Sequence, residues 1–315
     1  MSFLNLGENA VSPSPKPIPT NRYTIFFIMA LSFVCALILS LMASALRGPQ
    51  EIAEELDRSG QMMMAARILS PEGYFQIDEK GDFVPAKLEQ GIHLVATTED
   101  PTHPDRRELF EMYRERIVPM LVNRKGELST FEKQGIDQAK YIDEHRKVGY
   151  YTLPWMLIYK VLPNPEAGQK PSEEGKAAAW VIPVNGYGLW DAIYGYLALS
   201  TNGDTVIGIS WYDQKETPGL GAVITEPGWQ EQFHGKLIFE EGPDGKTDFE
   251  TAPLGLTVVR GKVENVIGDK PKAKSSIDGI PGATLTGNGV TSAYHDVLKP
   301  YRAFLIKLHE SSEDQ

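Results

Sequence analysis

Residues 278–290 read DGIPGATLTGNGV, a run of small and hydroxyl-bearing residues directly before a strong helical pattern. Gaps of three and four residues between apolar positions then predict one buried helix face: Val290, Ala293, Val297, Leu298, Tyr301, Phe304, Leu305 and Leu308. We expect Thr286 or Asn288 to cap the first turn, since each offers a side-chain oxygen to free amides. Pro300 predicts a kink or break near Lys299.

The loop ahead of this helix has the features of an anion site. Amide donors point outward where a glycine-rich loop opens onto a helix, and the helix dipole favours negative charge there. Thr284 adds a hydroxyl at this point. Short motifs carry a real false-positive risk, so the residues by themselves favour a glycine-rich turn with ordinary capping.

Two other glycine-containing motifs precede this loop. Residues 186–191 read GYGLWD and residues 216–221 read ETPGLG. Both fit tight turns between strands of an antiparallel sheet, and Pro218-Gly219 predicts a type II turn. The glycines also let backbone approach a flat ring closely, and Trp190 and Leu220 offer apolar surface beside it.

In this order the three motifs resemble the FMN-binding domain family, most closely the C subunits of sodium-translocating NADH:quinone oxidoreductases. In that family the threonine after Gly-Ala carries FMN through a phosphoester bond, so the resemblance implies one covalent FMN on Thr284. The family usually has Ser or Thr where this chain has Pro281. The other cofactor-binding positions that we carry over are Trp190, Glu216, Thr217, Gly219, Leu220, Gly282, Ala283, Leu285 and Thr286.

Asp278 lies six residues before Thr284. The resemblance makes Asp278 a candidate for recognition by the separate flavin transferase, which uses FAD, or for orienting its metal. The alternative is an ordinary turn-forming Asx residue. The sequence contains no complete GxGxxG, GxxxxGK[ST] or GxSxG motif, and its six histidines show no HExxH spacing. We therefore predict no catalytic residue and no metal ligand of its own.

The resemblance implies a subunit that is inactive alone and relays single electrons from NADH toward ubiquinone in a sodium-pumping complex. Its implied partners are the other integral-membrane subunits of that complex and the flavin transferase. Two alternatives stay open: the equivalent FMN subunit of the ferredoxin-linked electron-transport complex, and a non-redox anchored structural or assembly subunit. The net charge of −11 argues against a nucleic-acid partner. The single cysteine, Cys35, excludes an intramolecular disulfide.

The N-terminal region predicts a membrane anchor. A polar, proline-rich tail covers residues 1–22, and residues 23–46 then run without a charged side chain. Such a run can cross a hydrocarbon core of ~30 Å. Its length and the preceding tail favour an uncleaved anchor over a signal peptide. A slight Lys/Arg bias places the N-terminus inside, and the family's flavin domain lies on the outer face of the bacterial inner membrane. We expect a single-pass protein with its large C-terminal domain in the periplasm.

The predicted fold class is α+β: one N-terminal transmembrane helix, then an outer domain with an antiparallel sheet and flanking helices. We divide the outer part into residues 47–180, with an insertion, residues 181–310 as the FMN-binding domain, and a tail at 311–315. Helices are expected at 50–68, 104–121 and 226–233. Strands are expected at 155–161, 177–184, 193–200, 205–211 and 254–260, with a hairpin turn at Asn202-Gly203.

Overall fold

The computed structural model describes residues 21–79 and 81–313. Most of the predicted tail at 1–22 lies outside the described residues, as does the end of the predicted tail at 311–315. The chain divides into two compact units, residues 1–54 and 55–315.

The helices and strands follow each other in a mixed order. The helices are α1 Asn21–Ala65, α2 Arg106–Arg116, α3 Phe131–Gln134, α4 Gln138–His145, α5 Pro227–Gln230, α6 Val263–Val266, α7 Thr284–Leu298 and α8 Arg302–Glu313. The strands are β1 Gln76–Glu79, β2 Asp82–Leu88, β3 Leu94–Ala96, β4 Ile117–Asn123, β5 Leu128–Ser129, β6 Trp155–Val161, β7 Ala179–Tyr187, β8 Ala192–Leu199, β9 Val206–Asp213, β10 Thr257–Val258 and β11 Ser276–Ile277.

Helix α1 contains the predicted apolar span. Its segment Arg22–Gly48 is long and apolar enough to cross a membrane, and none of its most apolar stretch is buried in protein. The same helix continues through most of the predicted helix at 50–68 and ends at Ala65. Arg67 follows with a φ of 55°, a left-handed conformation that cannot continue the helix.

The main sheet of the larger unit has six strands in the order β5-β4-β6-β7-β8-β9. All its neighbouring strands are antiparallel, which confirms the predicted sheet type. Strands β1, β2 and β3 form a smaller antiparallel sheet, and β10 pairs with β11 in parallel. The proposed boundary at residue 180 falls within β7 and stays a prediction.

Side chains alternate between the two faces of the main sheet and contribute to two separate hydrophobic cores. We call the first the motif-side core; it contains Met156 and Ile158 of β6 together with Tyr294 of α7. The second, the opposite core, contains Leu157 and Tyr159 of the same strand. Ile280, Ala283 and Val290 of the 278–290 motif belong to the first core, and none of the three motifs contributes a residue to the second.

Most local predictions are confirmed. Strand β6 has the predicted bounds, and the β8–β9 hairpin has Gly203 at a φ of 69°. A 3-10 turn, Lys299–Tyr301, separates α7 from α8 as Pro300 predicted. The helix expected at 104–121 is wrong in its last part, because α2 ends at Arg116 and β4 begins at Ile117. Residues 117–122 read IVPMLV, and β-branched residues with an internal proline disfavour a helix. The strand expected at 254–260 is reduced to β10.

Candidate functional site

Helix α7 begins at Thr284, directly at the end of the glycine-rich loop. Its N-cap position is Ala283, which makes no side-chain capping bond, so the predicted caps at Thr286 and Asn288 were wrong. The amide of Gly287 makes the first intrahelical bond, 3.0 Å to the Ala283 carbonyl. The amides of residues 284–286 therefore have no partner within the helix. Thr284 itself is exposed, so its hydroxyl faces solvent beside these donors.

Thr286 does not cap the helix because it is the third residue of α7 and so lies inside the first turn. Thr286 Oγ1 donates a hydrogen bond of 2.6 Å to Oε2 of Glu216. The other carboxylate oxygen, Oε1, accepts one of 2.9 Å from the backbone amide of Trp190. Only 5% of Glu216 is exposed. One buried carboxylate thus joins the 186–191 motif, the 216–221 motif and the start of α7.

Glu216 is held in its ionised form by these donors. Burial acts to raise its pKa, but hydrogen bonds from the Thr286 hydroxyl and from the amides of Trp190, Leu189 and Asp191 outweigh it. The pKa of Glu216 is consequently lower than that of an ordinary glutamate. The carboxylate is therefore negatively charged at neutral pH.

Two glycines leave the space that Glu216 occupies. A Cβ atom on Gly188 would lie 2.4 Å from Glu216 Oε1. A Cβ atom on Gly221 would lie 2.6 Å from both Glu216 Oε2 and Thr286 Oγ1. The close approach that we predicted for these motifs is therefore made, in this structure, by a carboxylate and its donors.

The motifs that Glu216 connects carry exposed apolar side chains, which we call the apolar surface. It consists of Leu189, Trp190, Leu220 and Leu285, which are 49%, 69%, 41% and 59% exposed. The indole Nε1 of Trp190 donates a 3.2 Å hydrogen bond to Thr217 Oγ1. Thr217 also begins the predicted type II turn, in which the Leu220 amide bonds its carbonyl at 3.0 Å and Gly219 has a φ of 72°. The turn positions Leu220, and the indole bond positions Trp190.

A cleft of about 220 Å³ lies beside Thr284. Arg260 and the glycine-rich loop line it, together with Asn288 at the first turn of α7. A guanidinium group and helix-start amides are complementary to a phosphoryl group. The first turn of α7 therefore combines an exposed hydroxyl with groups that favour an anion.

Asp278 is engaged within the fold. Its Oδ1 accepts a 2.7 Å hydrogen bond from the Val263 amide, and its carbonyl accepts one of 3.1 Å from Trp229 Nε1. Both contacts reach residues distant in the chain, so Asp278 connects the glycine-rich loop to α6 and to Trp229. Within residues 21–79 and 81–313, no group of three or more His, Cys, Asp or Glu side chains is arranged to hold a metal ion.

Comparison with known proteins places this site in a family. The family model described as the FMN-binding domain matches residues 188–299, which include Trp190, Glu216 and Thr284. The C subunit of the Na(+)-translocating NADH-quinone reductase of Chlamydia caviae is 43% identical over 303 residues, covering 94% of this chain and 95% of that protein. The chain belongs to the family of Na(+)-translocating NADH-quinone reductase C subunits.

More distant members of this C-subunit family also align over most of the chain. The Vibrio alginolyticus protein is 27% identical over 297 residues, covering 92% of this chain and 95% of that protein. The crystal structure of Shewanella oneidensis NqrC matches with a TM-score of 0.51 and 22% identity, covering 83% of this chain and 99% of that chain. The latter similarity concerns the fold alone. It agrees with the predicted α+β class.

Proposed function

We propose that this chain is the membrane-anchored FMN subunit of a sodium-translocating NADH:quinone reductase, with one FMN attached covalently to Thr284. The observation that supports the proposal is the exposed Thr284 at the first residue of α7, near the exposed side chains of Leu220 and Leu285. Family membership supports the same assignment. The chain would have no turnover of its own and would act only within the assembled complex.

The residues around Thr284 fit FMN. The helix-start amides and Arg260 would stabilise the phosphoryl group, and the small side chains of Gly282 and Ala283 leave room for the ribityl chain. Trp190, Leu220 and Leu285 would contact the ring. When bound, FMN supplies the transfer of electrons, while the protein determines its position.

Attachment would be carried out by a flavin transferase that uses FAD. The Thr284 oxygen forms a bond to the phosphorus atom on the flavin side of FAD, and the bond from that phosphorus to the AMP portion breaks. AMP leaves, and the hydroxyl proton passes to a base of the transferase or to solvent. The resulting phosphodiester keeps one negative charge, which suits the start of α7. We retain Asp278 as the proposed recognition residue, presented on the loop by its bond to Val263.

The segment Arg22–Gly48 would anchor the chain in the bacterial inner membrane beside the other integral-membrane subunits. The larger unit would lie on the periplasmic side, where electrons pass through the subunit on the path from NADH to ubiquinone. A C-terminal alkaline phosphatase fusion should be active and a green fluorescent protein fusion dark, because the former matures outside the cytoplasm. The reverse pattern would contradict this orientation.

Thr284→Ala is the direct test of the attachment site. Co-expression with an active transferase should give in-gel flavin fluorescence for the unmodified sequence and none for Thr284→Ala. Ser292→Ala, which removes an exposed hydroxyl from the same helix, is the matched control and should stay fluorescent. Fluorescence that survives Thr284→Ala would refute the site.

A non-redox structural or assembly subunit is the second candidate, because Pro281 replaces the usual hydroxyl residue of the motif. It predicts no flavin on the parent protein even with an active transferase. An FMN subunit of a ferredoxin-linked complex predicts the same modification but co-purification with a different set of membrane proteins. Intact mass and the identities of the co-purifying proteins together separate the three candidates.

A further inference from the structure

Glu216 is a charged side chain in a place where an apolar one would cost less. Burying an ionised carboxylate is unfavourable unless hydrogen bonds replace its hydration. Here the hydrogen bonds come from the hydroxyl of Thr286 and the amide of Trp190, and the neighbouring amides of Leu189 and Asp191 also lower the pKa of the carboxyl. All these donors belong to the two other motifs. The charge therefore stabilises one relative arrangement of three separate loops.

The bond to Thr286 fixes the rotation of the first turn of α7. Successive residues of an α-helix are rotated by about 100°, so Thr284 and Thr286 point in directions roughly 200° apart. Thr286 is 1% exposed and faces Glu216, whereas Thr284 is exposed. Holding the buried hydroxyl inward therefore keeps the other hydroxyl outward.

The backbone of two glycines packs directly against the carboxylate of Glu216. Gly188 and Gly221 lie so close that even a methyl group on either would overlap the carboxylate oxygens. The adjacent Trp190 is bonded twice, through its amide to Glu216 and through its indole to Thr217. Movement of Glu216 would thus displace both the helix start and the apolar surface.

We propose that Glu216, together with Thr286, is a positioning residue for the attachment of the cofactor: it presents the Thr284 hydroxyl and the apolar surface in one geometry that the transferase modifies. This inference depends on the proposed function, because it concerns the same threonine. The carboxylate of Glu216 bonds to Thr286 and Trp190 rather than to Thr284. Its effect acts through Thr286 and the backbone of residues 189–191.

The test is the initial rate at which purified full-length protein in detergent is modified by the transferase with FAD, followed by intact mass. Glu216→Gln keeps the shape and removes the charge, and Thr286→Val keeps the shape and removes the hydroxyl. Each should lower the rate per folded molecule by at least about 10-fold, the factor expected for one lost hydrogen bond to a charged group. Thr286→Ser restores the hydroxyl and should stay within about 3-fold of the parent.

Glu226→Gln is the control for removing a negative charge, since Glu226 is exposed and makes no capping bond. It should be modified at the parent rate. Near-ultraviolet circular dichroism gives the folded fraction of each variant, so rates compare folded molecules only. If Glu216→Gln does not fold, the comparison of Thr286→Val with Thr286→Ser tests the proposal.

The outcomes distinguish this inference from the proposed function. If the transferase never modifies the parent protein, the proposed function itself is contradicted. A modified parent whose folded Glu216→Gln and Thr286→Val variants react at the same rate overturns the positioning role and leaves Thr284 as the site. A purely structural role predicts equal rates per folded molecule for Thr286→Val and Thr286→Ser.

Discussion

Ionisable side chains are buried on both faces of the six-stranded sheet, and a charged carboxylate on one face contrasts with neutral tyrosines on the other. On the motif side, the carboxylate of Glu216 is buried, ionised and surrounded by donors. On the other side, Tyr113, Tyr150 and Tyr212 line a cavity of about 520 Å³, where burial favours their neutral form. The first arrangement specifies one geometry of three loops. None of the residues that line the cavity on the second face belongs to the three motifs.

This difference predicts that damage to the opposite core affects stability without affecting the cofactor. Leu157 is fully buried there, and Leu157→Ala should lower the free energy of unfolding by about 2–5 kcal/mol. Denaturant unfolding measures this loss. Leu128→Ala removes a 40% exposed side chain and should cost much less. A drop in flavin per folded molecule for Leu157→Ala would show that the two faces are not separate.

A smaller loss of stability, with a large loss of attached flavin, is expected on the motif side. A Cβ atom on Gly289 would lie 2.0 Å from the Tyr187 carbonyl oxygen, which is backbone and has little freedom to move. Gly289→Ala should destabilise by about 1–3 kcal/mol and reduce flavin content per folded molecule. Gly228→Ala has open space around it and serves as the control. Parent-like flavin in folded Gly289→Ala would argue against a precise geometry.

The motif side should respond to acid. The folded pKa of Glu216 is lowered, so its contribution to stability is present above the unfolded value of about 4.3 and is lost as pH falls through the folded value. Tryptophan fluorescence and thermal unfolding across this range should show the loss. Glu216→Gln should flatten this acid limb. An unchanged acid limb in that variant would assign it to other carboxylates.

The opposite face should respond to alkali. Burial is the main cause that raises the pKa of Tyr113 and of Tyr212 to about 12. A raised pKa means that the stabilising contribution is complete below pH about 10 and is lost as pH rises toward 12. Tyrosinate absorbance should therefore rise together with unfolding. Tyr212→Phe should weaken this coupling, and flavin attachment should be unaffected.

The smallest effect on the free energy of unfolding is expected for an exposed ion pair. Lys170 pairs with Glu115 at 2.7 Å, but the lysine side chain is 79% exposed. Lys170→Ala should change the free energy of unfolding by no more than about 1 kcal/mol. Lys160 is the informative contrast, because it is 8% exposed and donates to the carbonyls of Glu173 and Gly175. Lys160→Met should lower the free energy of unfolding by more than Lys170→Ala does. Equal losses would contradict the expected difference between a buried and an exposed lysine.

Local signals in the sequence were sufficient for much of the fold. The β-rich run of β6, the Asn202-Gly203 turn and the break at Pro300 each depend on residues that are neighbours in the chain. The strand β4 was missed because a charged helical pattern precedes it, although Pro119 was an available signal against a helix. The α+β class followed from the sum of such local patterns.

The arrangement of the candidate site was only partly accessible. Resemblance selected Glu216 and Thr286 as cofactor positions, but no periodicity links two residues 70 positions apart. The predicted N-cap was wrong because α7 begins at Thr284, before either of the two expected capping residues. Glycine spacing predicted a close approach without showing that a carboxylate occupies the space.

The central claim is most directly tested by intact-mass measurement and peptide mapping of the protein purified from its own membranes. The account predicts one FMN phosphoester, located on Thr284 within the peptide that covers residues 278–290. An unmodified peptide from an assembled, active complex, or a flavin attached to any other residue, would contradict it.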